Sequence, residues 1–334
     1  MKKKLLFWIK IIFINLLVLF FILCFFDRLI PLITDQKSGI ARTVNIREHN
    51  PSSSYHVKVD IGKVDINTDK NGFILGNTKP INNEIDYVFV GGSTTECFNV
   101  DESKRFPFLS IKLLNNKTGK SSYGFNASYG GNNLMHSYIV LLTKLLVLKP
   151  KNIVLMHAVN DFAYLLKNED YFHGPRALLN NPEINLFSSL KKIKDNLFPN
   201  IYRSLRSISM MQFLGRIPGS PYAYSNHKIF APEDNLNKHS KILDLFIETC
   251  EIYNINLILM TQFNNLNNIS QNEYLLYKSY NQQIRNKAES NNIQLIDLDS
   301  LVPKNFEMMY DGIHLTNKGS ILVSQLVAKS LLEY

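Results

Sequence analysis

The sequence predicts an α/β protein built on a central parallel sheet, and two patterns predict it. From residue 85 onward, short apolar runs alternate with longer stretches of helical period. The runs are predominantly apolar rather than strictly alternating with polar residues, as expected of strands covered on both faces. The runs are Ile85–Val90, Gly124–Ala127, Ile153–His157, Asn256–Met260 and Gln294–Leu298, with helical periodicity near 95–115, 132–148, 235–253, 272–290 and 317–332. In an open sheet of this kind the ligand crevice lies at the carboxyl ends of the strands, so the residues that follow each run are the candidates for chemistry.

The chain has 334 residues, 45% of them hydrophobic and 19% charged, which excludes a disordered or collagen-like protein. Cys24, Cys97 and Cys250 are too few and too scattered for a disulfide framework or a zinc cluster. The net charge of +9 is uneven. Residues 1–34 hold Lys2, Lys3, Lys4, Lys10 and Arg28 against Asp27 alone. The mild remainder forms no basic block, which argues against nucleic-acid binding.

Lys2-Lys3-Lys4 precedes the run Leu5–Phe26, which is broken only by Lys10 and Asn15. A helix of that length reaches about 33 Å, against about 30 Å for a hydrocarbon core. A cleaved signal or a buried core helix are the alternatives. The run exceeds the usual apolar region of a signal and ends in Cys24-Phe25-Phe26-Asp27-Arg28 without Ala-x-Ala. Phe21-Ile22-Leu23 also lacks the small residues that lipoprotein processing at Cys24 needs. The expectation is a retained transmembrane helix within 1–34, its N-terminus cytoplasmic and the remainder periplasmic or extracellular. Residues 35–84 read as a spacer with a small β element. Val57, Val59 and Ile61 alternate, Val64 and Ile66 resume after Gly62, and Asp69-Lys70-Asn71-Gly72 forms a turn. Residues 163–233 break the strand–helix rhythm and read as an inserted cap, with a substrate lid as the sharper alternative.

Four segments follow strand runs or precede the last helix. Gly91-Gly92-Ser93-Thr94-Thr95-Glu96 lacks the Lys-Ser/Thr of a phosphate loop and the final Gly of a G-x-S-x-G elbow. Either Ser93 and Glu96 form a helix capping box, or Ser93 presents a hydroxyl at the crevice beside a helix N-terminus. Asp311-Gly312-Ile313-His314 places a carboxylate three residues from an imidazole, and a serine nucleophile needs that pairing of base and orienting acid. Asn126-Ala127-Ser128-Tyr129-Gly130-Gly131-Asn132 offers backbone N–H groups where glycines allow close approach, and Asn160 in His157-Ala158-Val159-Asn160-Asp161 offers a side-chain amide. Gln262, just past the fourth run, is a weaker candidate for substrate contact. His136 and His157 lack partners at metal spacing and read as structural, and Cys97 reads as core.

Together these segments resemble the SGNH hydrolase superfamily (GDSL esterases), over roughly 85–162 and 235–333 with a weaker match near Asn67–Gly72. Gly91-Gly92-Ser93 is similar to the first block, usually Gly-Asp-Ser, in the Gly-Gly-Ser-Thr-Thr form of membrane-anchored bacterial members. Gly131 answers the second block, with Gly130 one place away. Asn160-Asp161 answers the third, with Ala158 in place of its glycine, and Asp311-x-x-His314 answers the last without departure. The resemblance implies a three-layer α/β/α flavodoxin-like SGNH-hydrolase fold over 85–334. It implies Ser93 as nucleophile, His314 as base and Asp311 as its orienter. The N–H groups of Ser93 and Gly131 and the Asn160 side chain would form the oxyanion hole. No metal or cofactor is implied. The expected function is an anchored esterase that removes acyl groups, most simply O-acetyl, from a cell-envelope glycan. An O-acyltransferase with the same triad is the first alternative, and a non-catalytic glycan-binding protein the second.

Overall fold

The computed structural model describes residues 2–33, 43–44, 47–59, 62–76, 85–166, 168, 170–172, 179–180, 232–265 and 271–333. Most of the 163–233 insertion therefore lies outside the described residues. Lys2–Ile33 form one helix, α1, which belongs to a separate compact unit from the body that begins at Val44. Phe7, Trp8, Phe13, Leu16 and Phe21 on α1 are all exposed. Among the described residues no helix is long and apolar enough to cross a membrane.

In the body, β1 (Ser54–Val59) and β2 (Gly62–Asn67) pair as an antiparallel hairpin with Val57 opposite Val64. The central sheet holds β3 (Tyr87–Gly91), β4 (Gly124–Asn126), β5 (Asn152–Met156), β6 (Asn256–Met260) and β7 (Gln294–Ile296). They lie in the order β4-β3-β5-β6-β7, and every pair is parallel. All five strands coincide with the apolar runs. The reversal of order beside β3 opens a crevice at the carboxyl ends of β3 and its neighbours.

Strands β3, β5, β6 and β7 feed two cores, because successive side chains point to opposite faces, while β4 places Phe125 in the first alone. On one face Val88, Val90, Ile153, Leu155, Leu257 and Leu259 pack with Leu141, Phe246 and Ile284 from the covering helices. On the other, Phe89, Val154, Met156, Ile258 and Ile296 pack with Phe106, Ile111, Val323 and Val327. Helices therefore cover both faces, as continuous apolar strands demand.

Two features differ from the sequence reading. The helix near 95–115 is broken: a short turn α2 (Ser93–Glu96) ends where Cys97 turns left-handed at φ 53, and α3 (Phe106–Thr118) starts afresh with a proline in its first turn. Pro107 has no N–H to continue an earlier helix, so it starts one. The stretch read as a spacer also joins the body. Phe73 lies in the first core, the Ile74 N–H donates to the Asn126 carbonyl (2.8 Å), and Arg105 donates to the Asp65 carbonyl (2.5 Å).

His157 follows β5 and is buried. Its Nε2 lies 2.6 Å from Ser137 Oγ, and its Nδ1 lies 3.6 Å from the Asp161 carboxylate. Burial lowers its pKa to about 4 despite the opposing charge of Asp161. The folded form thus resists a proton that the unfolded chain accepts below 6.5, so stability is lost as the pH falls from about 6.5 to about 4. The loss is on the order of 3 kcal/mol. Thermal melts at pH 7 and 4.5 should show it, and His157→Gln should flatten the difference. An equal acid shift in that variant would assign the loss to other groups.

Candidate active site

Ser93 stands at the start of α2, directly after β3. Gly92 precedes it because nothing larger fits. A Cβ there would fall 2.3 Å from Asn160 Nδ2 and 3.0 Å from the Asn132 carbonyl. The capping-box alternative does not describe these side chains. Gly92 is the N-cap without a side-chain bond, Ser93 turns toward His314, and Glu96 turns toward His49. The first N–H groups of a helix have no intrahelical partner, so the Ser93 N–H is available to an anion at the crevice.

The loop before the last helix, α4 (Asn317–Leu332), brings the partners. His314 Nε2 lies 2.7 Å from Ser93 Oγ, and His314 Nδ1 lies 2.5 Å from Asp311 Oδ2. The other Asp311 oxygen accepts from the His314 and Ile313 N–H groups at 2.9 and 3.2 Å. Burial would push the Asp311 carboxyl up. The hydrogen bonds and charge of His314 outweigh it and hold the group below its ordinary value. The imidazole and carboxylate are about one-fifth exposed, so a substrate can reach them. Tyr310 stacks on the imidazole (5.7 Å, 17°), and Phe98 meets it edge-on (6.4 Å, 77°). Neither aromatic was read from the sequence, although Tyr310 is the direct neighbour of Asp311.

The remaining candidates separate. Asn160 is buried beside Gly92, and one of its amide hydrogens goes to the Asn132 carbonyl (2.7 Å), which leaves a second donor on the same nitrogen. Gly131 turns left-handed at φ 76, and Gly130 sits against Ser93, where a Cβ would lie 3.9 Å from that of the serine. Asn126 is structural: its amide donates to the Thr95 carbonyl and its oxygen accepts from the Ser128 N–H. His136 completes a capping box with Asn133. Cys97 is core, its thiol pushed up to about 12 by burial. Among the described residues, no group of three His, Cys, Asp or Glu side chains could hold a metal ion.

Gln262 is the correction. It is buried and does not face the crevice. Its Oε1 accepts from the Val159 N–H (2.9 Å), and its Nε2 donates to Thr94 Oγ1 (2.9 Å), which in turn donates to the Ile313 carbonyl (3.1 Å). One amide thus ties together the neighbours of Asn160, Ser93 and His314. The strand-end position was visible in the sequence, but the inward rotamer was not. Gln262→Leu would strand the buried Val159 N–H and remove one of the two bonds of Thr94 Oγ1, at on the order of 1–3 kcal/mol in all. We expect a lower denaturation midpoint together with slower turnover. Unchanged stability would show that the three loops hold without the amide.

A serine, an imidazole and a carboxylate in hydrogen-bond series, at the strand ends of an α/β sheet, are the arrangement that serine hydrolases use. The family model of the GDSL-like lipase/acylhydrolase domain matches residues 87–327, and the chain belongs to that family of ester-bond hydrolases. No curated protein matches the sequence significantly. Solved structures similar to it include the acetyl xylan esterase AlAXEase (16% identity, covering 74% of this chain and all of that one, TM-score 0.47). A GDSL-like lipase from Parabacteroides merdae is also similar (14%, 75% and 98%, 0.46). A third is an acetyl-xylooligosaccharide esterase from Geobacillus (13%, 76% and 95%, 0.45).

Proposed function

We propose that the chain is a membrane-anchored, extracytoplasmic serine esterase that removes acyl groups, O-acetyl first among them, from a cell-envelope glycan. The observation that carries the chemistry is the unbroken hydrogen-bond series from Ser93 through His314 to Asp311. Ser93 Oγ attacks the ester carbonyl and passes its proton to His314 Nε2. The carbonyl oxygen becomes an oxyanion held by the Ser93 and Gly131 N–H groups and the second amide hydrogen of Asn160. His314 returns the proton to the leaving sugar oxygen, which departs as the alcohol and leaves an acetyl-serine. Water, deprotonated by His314, then attacks that ester; acetate leaves and Ser93 recovers its proton.

The anchor and the compartment rest on the run Leu5–Phe26 behind three lysines. The glycan is our reading of that compartment, whose polysaccharides are one class of O-acetyl ester. The test uses the full chain in detergent with p-nitrophenyl esters of increasing length and then an O-acetylated polysaccharide, while phenol and acetate are followed. Fast release from acetyl esters alone supports the reading, and a preference for long acyl chains overturns it. Release stimulated about tenfold by an added sugar acceptor would instead support acyl transfer. Carbonate-resistant sedimentation with membranes tests the anchor.

A further inference from the structure

Resting on the esterase reading, we propose that Arg47, outside the matched family domain, is a positioning residue that strengthens the oxyanion-binding Gly131 N–H. Arg47 Nη2 donates to the Gly130 carbonyl at 2.9 Å. That carbonyl and the Gly131 N–H belong to one peptide group. A cation on the oxygen draws electron density through the amide and makes the N–H at its other end a stronger donor. The bond therefore matters most when negative charge develops at the substrate oxygen.

The surrounding contacts hold the segment in place for this role. The guanidinium also lies over the Tyr129 ring, 5.6 Å from its centroid, and the His49 ring packs against the same tyrosine at 4.8 Å. The Arg47 carbonyl accepts from Asn132 Nδ2 (3.1 Å), while the Asn132 carbonyl accepts from Asn160. The segment thus touches both the Gly131 loop and the Asn160 side chain. His49 Nε2 reaches the buried Glu96 at 2.9 Å, on the turn that carries Ser93. Lys144 pairs with Glu48 and donates to the Asn71 carbonyl (2.5 Å). Gly72, at φ 77, lets the chain pass, since a Cβ there would fall 2.4 Å from the His49 carbonyl. Residues 47–49 form a strap over the oxyanion loop, with one cation aimed at its key peptide.

The test compares full-length wild type, Arg47→Met, Arg47→Lys, Arg47→Ala and Asn160→Ala on p-nitrophenyl acetate, with Ser93→Ala as the baseline. Losing an oxyanion donor outright costs about 10²–10³ in rate, and Arg47 only strengthens one. Arg47→Met should therefore lower kcat about 10- to 50-fold and leave KM within about twofold. Arg47→Lys should recover most of the loss. Millimolar guanidinium should partly restore Arg47→Ala but not Asn160→Ala, a readout that a merely structural strap would not move. The assignment is overturned if Arg47→Met keeps wild-type kcat, if KM absorbs the loss, or if neither lysine nor guanidinium restores it. Wild type without Ser93-dependent release would overturn the esterase reading first and this inference with it.

Discussion

Ser93→Ala should lower ester hydrolysis by about 10⁴-fold or more, with a melting temperature close to wild type. The alanine lacks the hydroxyl that the proposed mechanism uses to attack, while the helix start, the Gly92 N-cap and the Asn160 contact stay as they are. What remains is the catalysis supplied by oxyanion donors and substrate orientation without a covalent step. The hydroxyl bonds to His314 and caps no helix, so its removal costs the fold little. Steady-state release of p-nitrophenol, beside mass spectrometry for an acyl adduct, reads the effect. A variant within tenfold of wild type would remove Ser93 from the mechanism.

Asp311→Asn should be nearly as severe, about 10⁴-fold in kcat, with little change in shape. The carboxylate accepts from His314 Nδ1–H, and that bond leaves Nε2 free to take the Ser93 proton. An asparagine can turn its NH₂ toward Nδ1, which shifts the ring proton to Nε2 and disables the base. The pH sign follows from the depressed pKa of Asp311. Its stabilising bonds are fully present above the ordinary value of 3.8 and are lost only as the pH falls through the lower folded value. An acid limb of activity above pH 3.8 in the wild-type enzyme therefore belongs to a group other than Asp311. The low-field Nδ1 proton resonance of His314 should be present in wild type and absent in the variant.

The sheet was legible because its signal is local. A strand covered on both faces is apolar at most positions, so five runs announced five strands without any knowledge of their neighbours. Asp311 and His314 were legible for a similar reason, since three residues in one turn set their geometry before the rest of the chain arrives. Ser93 followed from its place at a strand end. The helix break after Glu96 was harder to see, because the apolar pattern continues across Cys97 while the backbone reverses there.

What the sequence determined by itself was therefore the sheet and the identity of the hydrogen-bonded series, both products of periodicity and short-range spacing. Tertiary structure alone decided the strand order, the inward turn of Gln262 and the place of residues 47–49 over the oxyanion loop. Those depend on contacts across large separations, such as Gln262 with Thr94 and Arg47 with Gly130. A glutamine's amide takes whichever buried partners the closed fold offers, and an arginine's reach spans several loops. Nothing in the neighbouring residues encodes either choice, because both are settled only when distant segments pack and each buried polar group must find its bond.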